Sequence, residues 1–303
     1  MRIHDDWDSP GFELPPLAGE TGPFTRRAFL EVWWRLRRRP GDELCFIESD
    51  GAFLPLVRTE GGVQFLGEED LVDYHSPLGE GVAGLVAAFG SGHLDGVPFR
   101  LDSMPALAFT PVAEGLARSG IDATRTEHES AAVLDLPDTF EQFLQDVGPK
   151  ERHEIRRKRR RFERRLGEPR LRHRTVADGL ADFVAMHRAS AGEKGHFMTS
   201  EMEEFFAALG DVAGARIDVV VGDDGVAVAA AFGFATGDAF YLYNSAYDPD
   251  RSDASPGIVL LGLLIEETIA EGMRRFDFLK GDEDYKYRLG ARRRPLFAVA
   301  GPP

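Results

Sequence analysis

The segment RFDFLKGDEDYKYRLG, Arg275 to Gly290, brings Asp277, Lys280, Asp282, Glu283, Asp284, Tyr285, Lys286 and Arg288 together around one glycine. Carboxylates, ammonium groups and a phenol at such spacing can pass a proton to or from a substrate and stabilise charge that develops on it. Phe276 and Phe278 share one face of a strand by the two-residue period, so Asp277 points the other way within an apolar run and needs a partner. Gly281 permits a turn that residues with a Cβ adopt less readily, and the charged side chains follow it in one short loop. A solvated charge run is the competing reading. The two differ in one observable: whether side chains 282–288 meet a cleft or bulk water.

A second constellation lies just upstream. The helix expected from Pro256 to Met273 is apolar on nearly all sides in its first turns (Ile258, Val259, Leu260, Leu261, Leu263, Leu264, Ile265), which requires burial on two faces. Ser255 suits the N-cap and Pro256 the first helical position, so the amides of Gly257, Ile258 and Val259 form an anion site able to take a pyrophosphate. Asp248, Asp250 and Asp253 disfavour an anion there unless they point away.

The helix RHEIRRKRRRFERRLG, Arg152 to Gly167, carries Ile155, Phe162 and Leu166 in a narrow stripe with Arg159 beside it, and cations almost everywhere else. Glu151, Glu154 and Glu163 supply some local pairing. Three readings stay open: a solvated helix; a clamp in which Arg152 and Arg156 grip phosphates of a cofactor, a nucleotide-linked substrate or RNA; or attraction to anionic lipid. The histidines show no metal-ligand spacing and no GxSxG motif occurs, so neither a metal nor a serine nucleophile is expected. His196, with Lys194 in the loop Gly192 to Met198, is a candidate substrate contact. Tyr241 and Tyr243 alternate on one strand face and read as core by default.

These groups need a framework, and the 303 residues suffice for two domains of about 150. The net charge is −15, yet Lys150 to Arg165 hold ten Lys/Arg against three Glu, a local +7 on a remainder of −22. That balance argues against DNA and against nucleic acid held over the whole surface, since phosphates need a positive field. The single cysteine, Cys45, excludes an intramolecular disulfide and suits a reducing compartment. The N-terminus lacks a signal-peptide pattern, and the longest apolar run, Val226 to Ala235, is far short of the roughly 20 residues a membrane-spanning helix needs. A soluble cytoplasmic protein is expected.

Phe29, Val32, Trp33 and Leu36 recur at helical spacing, and three short strand-like runs follow, separated by Asp50-Gly51 and Gly61-Gly62. A helix near Val82 to Phe89 and a strand near Val97 to Leu101 come next. The second half repeats the order: strands Ile217 to Val221, Val226 to Phe234 and Ala239 to Ala246, then the Pro256 helix and strand Arg275 to Leu279. Meander, helix and strand in each half predict a mixed α/β fold with a flexible lead-in over 1–22, a first domain over 23–128 and a second over 129–303.

The succession KERHEIRRKRRRFERRLG, YLYNSAYDP, SPGIVLLGLLI and FDFLKGDEDYKYRLGA resembles the CelD-like (cellulose-biosynthesis-type) acyltransferases of the GNAT superfamily, and PFTRRAFLEVWW resembles their start. The resemblance implies tandem GNAT-like domains, each a mostly antiparallel sheet flanked by helices, as in Fem-type aminoacyltransferases. It implies an acyl thioester lying where strands 239–246 and 275–279 splay, beside Tyr243, with its pyrophosphate at Ser255-Pro256-Gly257-Ile258. The usual Gln/Arg-x-x-Gly-x-Gly/Ala phosphate loop is shortened here, so acyl carrier protein or charged tRNA stand beside acyl-CoA as donors. The implied reaction is direct attack of an amine, a small molecule or a cell-envelope precursor, on the thioester. Asp282 would be base or water-positioner, Tyr285 acid, and Lys286 the group that polarises the carbonyl or holds an anion. Asp277 would orient Lys280 or Lys286, and Lys280, His196 and Arg288 would contact substrate. The alternatives are a tRNA-dependent Fem-type transferase, whose basic helix would grip RNA, and a non-catalytic module of envelope polysaccharide synthesis.

Overall fold

Apolar runs broken by Gly-containing turns produce hairpins, and the strands of this chain fall where those turns allow. The computed structural model of the chain describes residues 1–18, 20–49 and 51–302, with the backbone alone at Glu193 and Lys194. Asp50 and the Lys194 side chain thus lie outside the described residues. Two compact units result: Met1–Ala131 together with Arg294–Pro303, and Ala132–Arg293.

The first unit runs through β1 (Arg2–His4), α1 (Arg27–Arg37), β2 (Glu43–Ser49), β3 (Ala52–Thr59), β4 (Gly62–Phe65), β5 (Leu78–Gly79), α2 (Val82–His93), β6 (Phe99–Pro105) and α3 (Ala106–Arg118). β2, β3 and β4 form an antiparallel meander, and β4 pairs β6 in parallel through Val63–Phe99 and Gln64–Arg100. The chain leaves this unit within β7 (Thr124–Asp135).

The second unit holds α4 (Phe140–Asp146), α5 (Gly148–Leu166), β8 (Arg170–Arg174), α6 (Val176–Ala189), α7 (Glu193–Phe197), α8 (Ser200–Ala208), β9 (Ala215–Val221), β10 (Ala227–Thr236), β11 (Ala239–Tyr247), α9 (Pro256–Ala270), β12 (Arg275–Lys280) and α10 (Asp284–Arg288). β9, β10 and β11 are an antiparallel meander and β11 pairs β12 in parallel. Meander, helix and parallel strand therefore recur in both units, as the element order of the sequence implies. β13 (Arg292–Ala300) carries the chain back, pairing β6 through Leu296–Pro105 and Phe297–Met104.

In the second unit α9 is buried on both sides. Val259, Leu260, Leu261, Leu264, Ile265 and Ile269 pack with Phe240, Leu242, Phe276 and Phe278 of the sheet and with Phe162 and Ile155 of α5. Burying each such side chain is worth about 1.5–3 kcal/mol, which anchors the helix start that the site uses. The other sheet face packs an aromatic cluster, Phe183, Phe206, Phe232, Phe234 and Tyr243.

Four expectations change. The lead-in is tied down: Ile3 pairs Ile47, and Trp7 and Phe12 pack on Phe46, so apolar residues fix what composition marks as a loose start. The division expected after residue 128 falls inside β7, where no Gly or Pro interrupts the strand, and the compact units part after Ala131. Residues Arg294–Pro303 belong to the first unit, a return that no local signal announces. The loops around His196 and after Gly281 are one-turn helices, α7 and α10.

Candidate active site

β11 and β12 pair only from Ala239–Arg275 to Tyr241–Asp277, although β11 continues to Tyr247 and β12 to Lys280. Beside that divergence, at the start of α9, lies a cavity of about 300 Å³ lined by Lys158, Ser245, Tyr247, Ser252, Ser255, Pro256, Gly257, Ile258, Leu261 and Tyr285. A bulge makes it possible. Phe240 and Leu242 of β11 face the α9 core, and strict alternation would send Asn244 and Ala246 the same way. The register with β10 slips between Phe232–Asn244 and Gly233–Leu242, so Tyr243 is the extra residue and Ser245 and Tyr247 face the cavity instead.

At the helix start Ser255 adopts a left-handed conformation (φ 60°, ψ 43°), and its hydroxyl makes no capping bond. The expected N-cap is therefore conformational only: the Ser255 carbonyl accepts from the Val259 amide at 3.3 Å, which removes Val259 from the anion site and leaves the first-turn amides of Gly257 and Ile258. Among the described residues no carboxylate lines the cavity. Asp248 accepts from the Asp250 amide at 2.9 Å, and Asp253 pairs with Arg165 at 3.4 Å. Lys158 brings a half-buried ammonium into the lining, 3.6 Å from Glu154.

The charged run after β12 is mostly bracing. Asp277 is fully buried, and its Oδ1 accepts from the Leu279 amide at 2.8 Å, holding Leu279 in a left-handed conformation (φ 60°) that costs a residue with a side chain about 1–2 kcal/mol. Lys286, 3% exposed, donates to the Lys280 carbonyl at 2.6 Å and the Gly281 carbonyl at 3.2 Å, and its Nζ lies 2.9 Å from a Glu283 carboxylate oxygen. Its ammonium thus braces the loop through three acceptors. Gly281 sits at φ 110°, where an added Cβ would lie 2.4 Å from Glu283 and 2.9 Å from Lys286 Nζ. Arg288 forms a two-pronged pair with Glu151 of α5 at 3.1 and 3.0 Å, which ties α10 to α5 and leaves less of it for a substrate.

Tyr285 is the residue of the run that reaches the cavity. Burial first, then the Glu283 carboxylate, push its phenol up to about 12. Asp282 stands exposed and accepts from the Tyr287 hydroxyl at 2.5 Å, outside the cavity lining.

Of the remaining expected contacts, Ser255, Pro256, Gly257 and Ile258 line the cavity, whereas Tyr243 packs against Phe206, Phe232 and Phe234 on the opposite face. Alternation from Phe240 and Leu242 puts Tyr243 on that face, and the bulge after it turns Ser245 and Tyr247 to the cavity. Arg156 is held by Glu141 at 3.1 Å; neither it nor Arg152 lines the cavity. His196 is exposed on α7 and Lys280 is half-buried at the end of β12; both lie outside the lining. Lys158 was the missing residue, and it had a signal: it follows Ile155 by three and precedes Phe162 by four, on the one packed face of α5.

In the first unit the place between β4 and β6 is taken by the chain itself. The His75 amide donates to the Ser103 carbonyl at 3.0 Å, its ring stacks on Phe65 at 5.2 Å, and its Nδ1 lies 3.1 Å from Asp102 Oδ1. Two clusters come close enough to share an ion, Glu69–Asp102–His128 and His173–Glu267–Glu271. Each already has a guanidinium: Arg100 lies 3.4 Å from Glu69 and 3.5 Å from Asp102, and Arg216 lies 2.7 Å from Glu271.

Residues 149–287 match the family model described as Acetyltransferase (GNAT) domain. No curated protein matches the sequence. Among solved structures, FemX is 11% identical with a TM-score of 0.64, covering 98% of this chain and 97% of its own. A conserved protein of unknown function from Bacteroides thetaiotaomicron is 11% identical with a TM-score of 0.65, covering 99% of each chain. L-PGS from Bacillus licheniformis is 14% identical with a TM-score of 0.58, covering 85% of this chain and 83% of its own. Residues 149–287 are thus similar to a GNAT domain, and the chain has a mixed α/β fold whose two units repeat one element order. Among the described residues no helix is long and apolar enough to cross a membrane.

Proposed function

We propose that this chain is an N-acyltransferase that moves an acyl group from a thioester, with acyl-CoA the first donor to test, to an amine by direct attack. The observation that carries the reading is Tyr285: a phenol held protonated at neutral pH, lining a cavity with no carboxylate among the described residues, beside diverging strands in a GNAT-like segment. The amine nitrogen adds to the carbonyl carbon, the carbon–sulfur bond breaks, and the products are an amide and a thiol. Tyr285 donates a hydrogen bond to the sulfur as negative charge grows on it. With its phenol near 12 and a thiol near about 8.5, Tyr285 is the weaker acid, so it shields the thiolate while the amine's proton leaves through solvent. Asp282, exposed outside the lining, accepts that proton through water in this reading.

Lys158, Ser255 and the amides of Gly257 and Ile258 form the end of the cavity suited to a donor's anionic group. The test is calorimetric titration with acetyl-CoA and with a long-chain acyl-CoA, on the parent protein and on Gly257→Val. Binding that is lost in the variant supports the donor and the place. No binding by the parent transfers the reading to a thioester on a carrier protein, or to a charged tRNA.

A further inference from the structure

We infer that the outer face of α5 is a docking surface for an anionic membrane. Successive helical residues turn by about 100°, so with Ile155, Phe162 and Leu166 packed inward, Lys150, Arg157, Arg160, Arg161 and Arg164 fall on the opposite side, and all five are exposed. The row extends over roughly 21 Å at 1.5 Å per residue. Part of the helix charge is spent within the protein. Arg157 is clasped by Glu154 at 2.7 Å, which holds that carboxyl down to about 2; Arg156 pairs with Glu141, Arg159 with Glu266 and Arg165 with Asp253. Lys150, Arg160, Arg161 and Arg164 have no carboxylate within ion-pair distance among the described residues. Arg160, Arg161 and Arg164 stand at i,i+3 and i,i+4 spacing, where like charges oppose the helix. The fold therefore gains nothing from them.

Their occupant must be polyanionic, and the form of the surface selects a membrane. It is the convex side of a rod, without the aromatic platforms on which single-stranded RNA stacks, and an α-helix does not enter the deep, narrow groove of duplex RNA. Its one exposed apolar residue is Pro149 in the first turn, too small to anchor the helix, so the helix rests on the headgroups without inserting. The acidic remainder of the chain, −22 outside this segment, is screened beyond about 8 Å at physiological salt, so it does not prevent contact. This inference is independent of the acyl-transfer reading.

The test is sedimentation of the full chain with vesicles of phosphatidylcholine alone and with roughly one third phosphatidylglycerol, across a salt series. Expected are binding to the anionic vesicles alone, its loss with rising salt, and a fall of about 10²-fold in the triple variant Arg160→Gln, Arg161→Gln, Arg164→Gln with its melting temperature kept. Equal binding to neutral vesicles, no binding to either, or unchanged binding by the folded triple variant overturns the proposal. So does a structured RNA bound more tightly than vesicles at the same salt and lost in the variant. The salt series on the parent protein decides the matter should the variant fail to fold.

Discussion

Lys286→Met separates a loop-bracing ammonium from a catalytic one. Methionine keeps most of the apolar stem and removes the charged head, leaving the Lys280 and Gly281 carbonyls and the Glu283 carboxylate without their donor. A buried acceptor left unpaired costs about 1–3 kcal/mol, and both carbonyls belong to partly exposed residues that water can reach, so the lower half of that range applies to each. Glu283 is 55% exposed, and its ion pair is worth at most about 1 kcal/mol. The sum is a loss of about 2–5 kcal/mol. For a unit of this size that lowers the melting temperature by about 4–20 °C. Released from Lys286, the loop from Leu279 to Asp284 no longer fixes Tyr285, and turnover falls with stability. Thermal unfolding by circular dichroism, with turnover measured well below the transition, reads both quantities. An unchanged melting temperature together with a large loss of turnover would refute the bracing argument and return Lys286 to the role of polarising the substrate carbonyl.

Three further perturbations follow from the geometry. Tyr285→Phe should lower turnover about 10²-fold with donor affinity retained, while Asp282→Asn, exposed outside the lining, should cost less; steady-state kinetics on both variants compares them. Gly257→Ala places a Cβ 3.2 Å from the Tyr247 ring, which must shift within the cavity lining, so titration should show donor affinity weakened several-fold at nearly unchanged stability. His173 is raised above its ordinary value by its hydrogen bond to Asp218, with Glu267 on its other nitrogen. A group whose folded value is raised contributes stability that is fully present below the unfolded value, near about 6.5, and is lost as pH rises through the folded value. Melting temperature should therefore decline over that window and lose this component in His173→Gln; an identical pH profile in the variant would count against the pairing.

The sequence by itself determined the elements and the chemistry-bearing segment. Period-two runs and Gly-containing turns set both meanders, the apolar circumference of α9 required its burial, and the Ser255-Pro256 start positioned that helix beside the strand after it. Tyr285 was legible because it follows a strand and a turn glycine that force the chain to reverse. What only tertiary structure decided is which members of each charged run meet the cavity. Asp277, Lys286 and Arg288 became braces because their partners, the Leu279 amide, two backbone carbonyls and Glu151, depend on a left-handed residue and on the packing of α10 against α5. Asn244 and Ala246 yielded their places to Ser245 and Tyr247 through one extra residue in β11, a register slip with no compositional mark. Lys158 joined the lining because α5 packs on α9 through Ile155 and Phe162, and the last ten residues joined the first unit by pairing with β6. Local pattern fixes which face of an element is apolar. The partner against which that face closes, and hence which polar groups line the cavity, is a long-range choice made by packing.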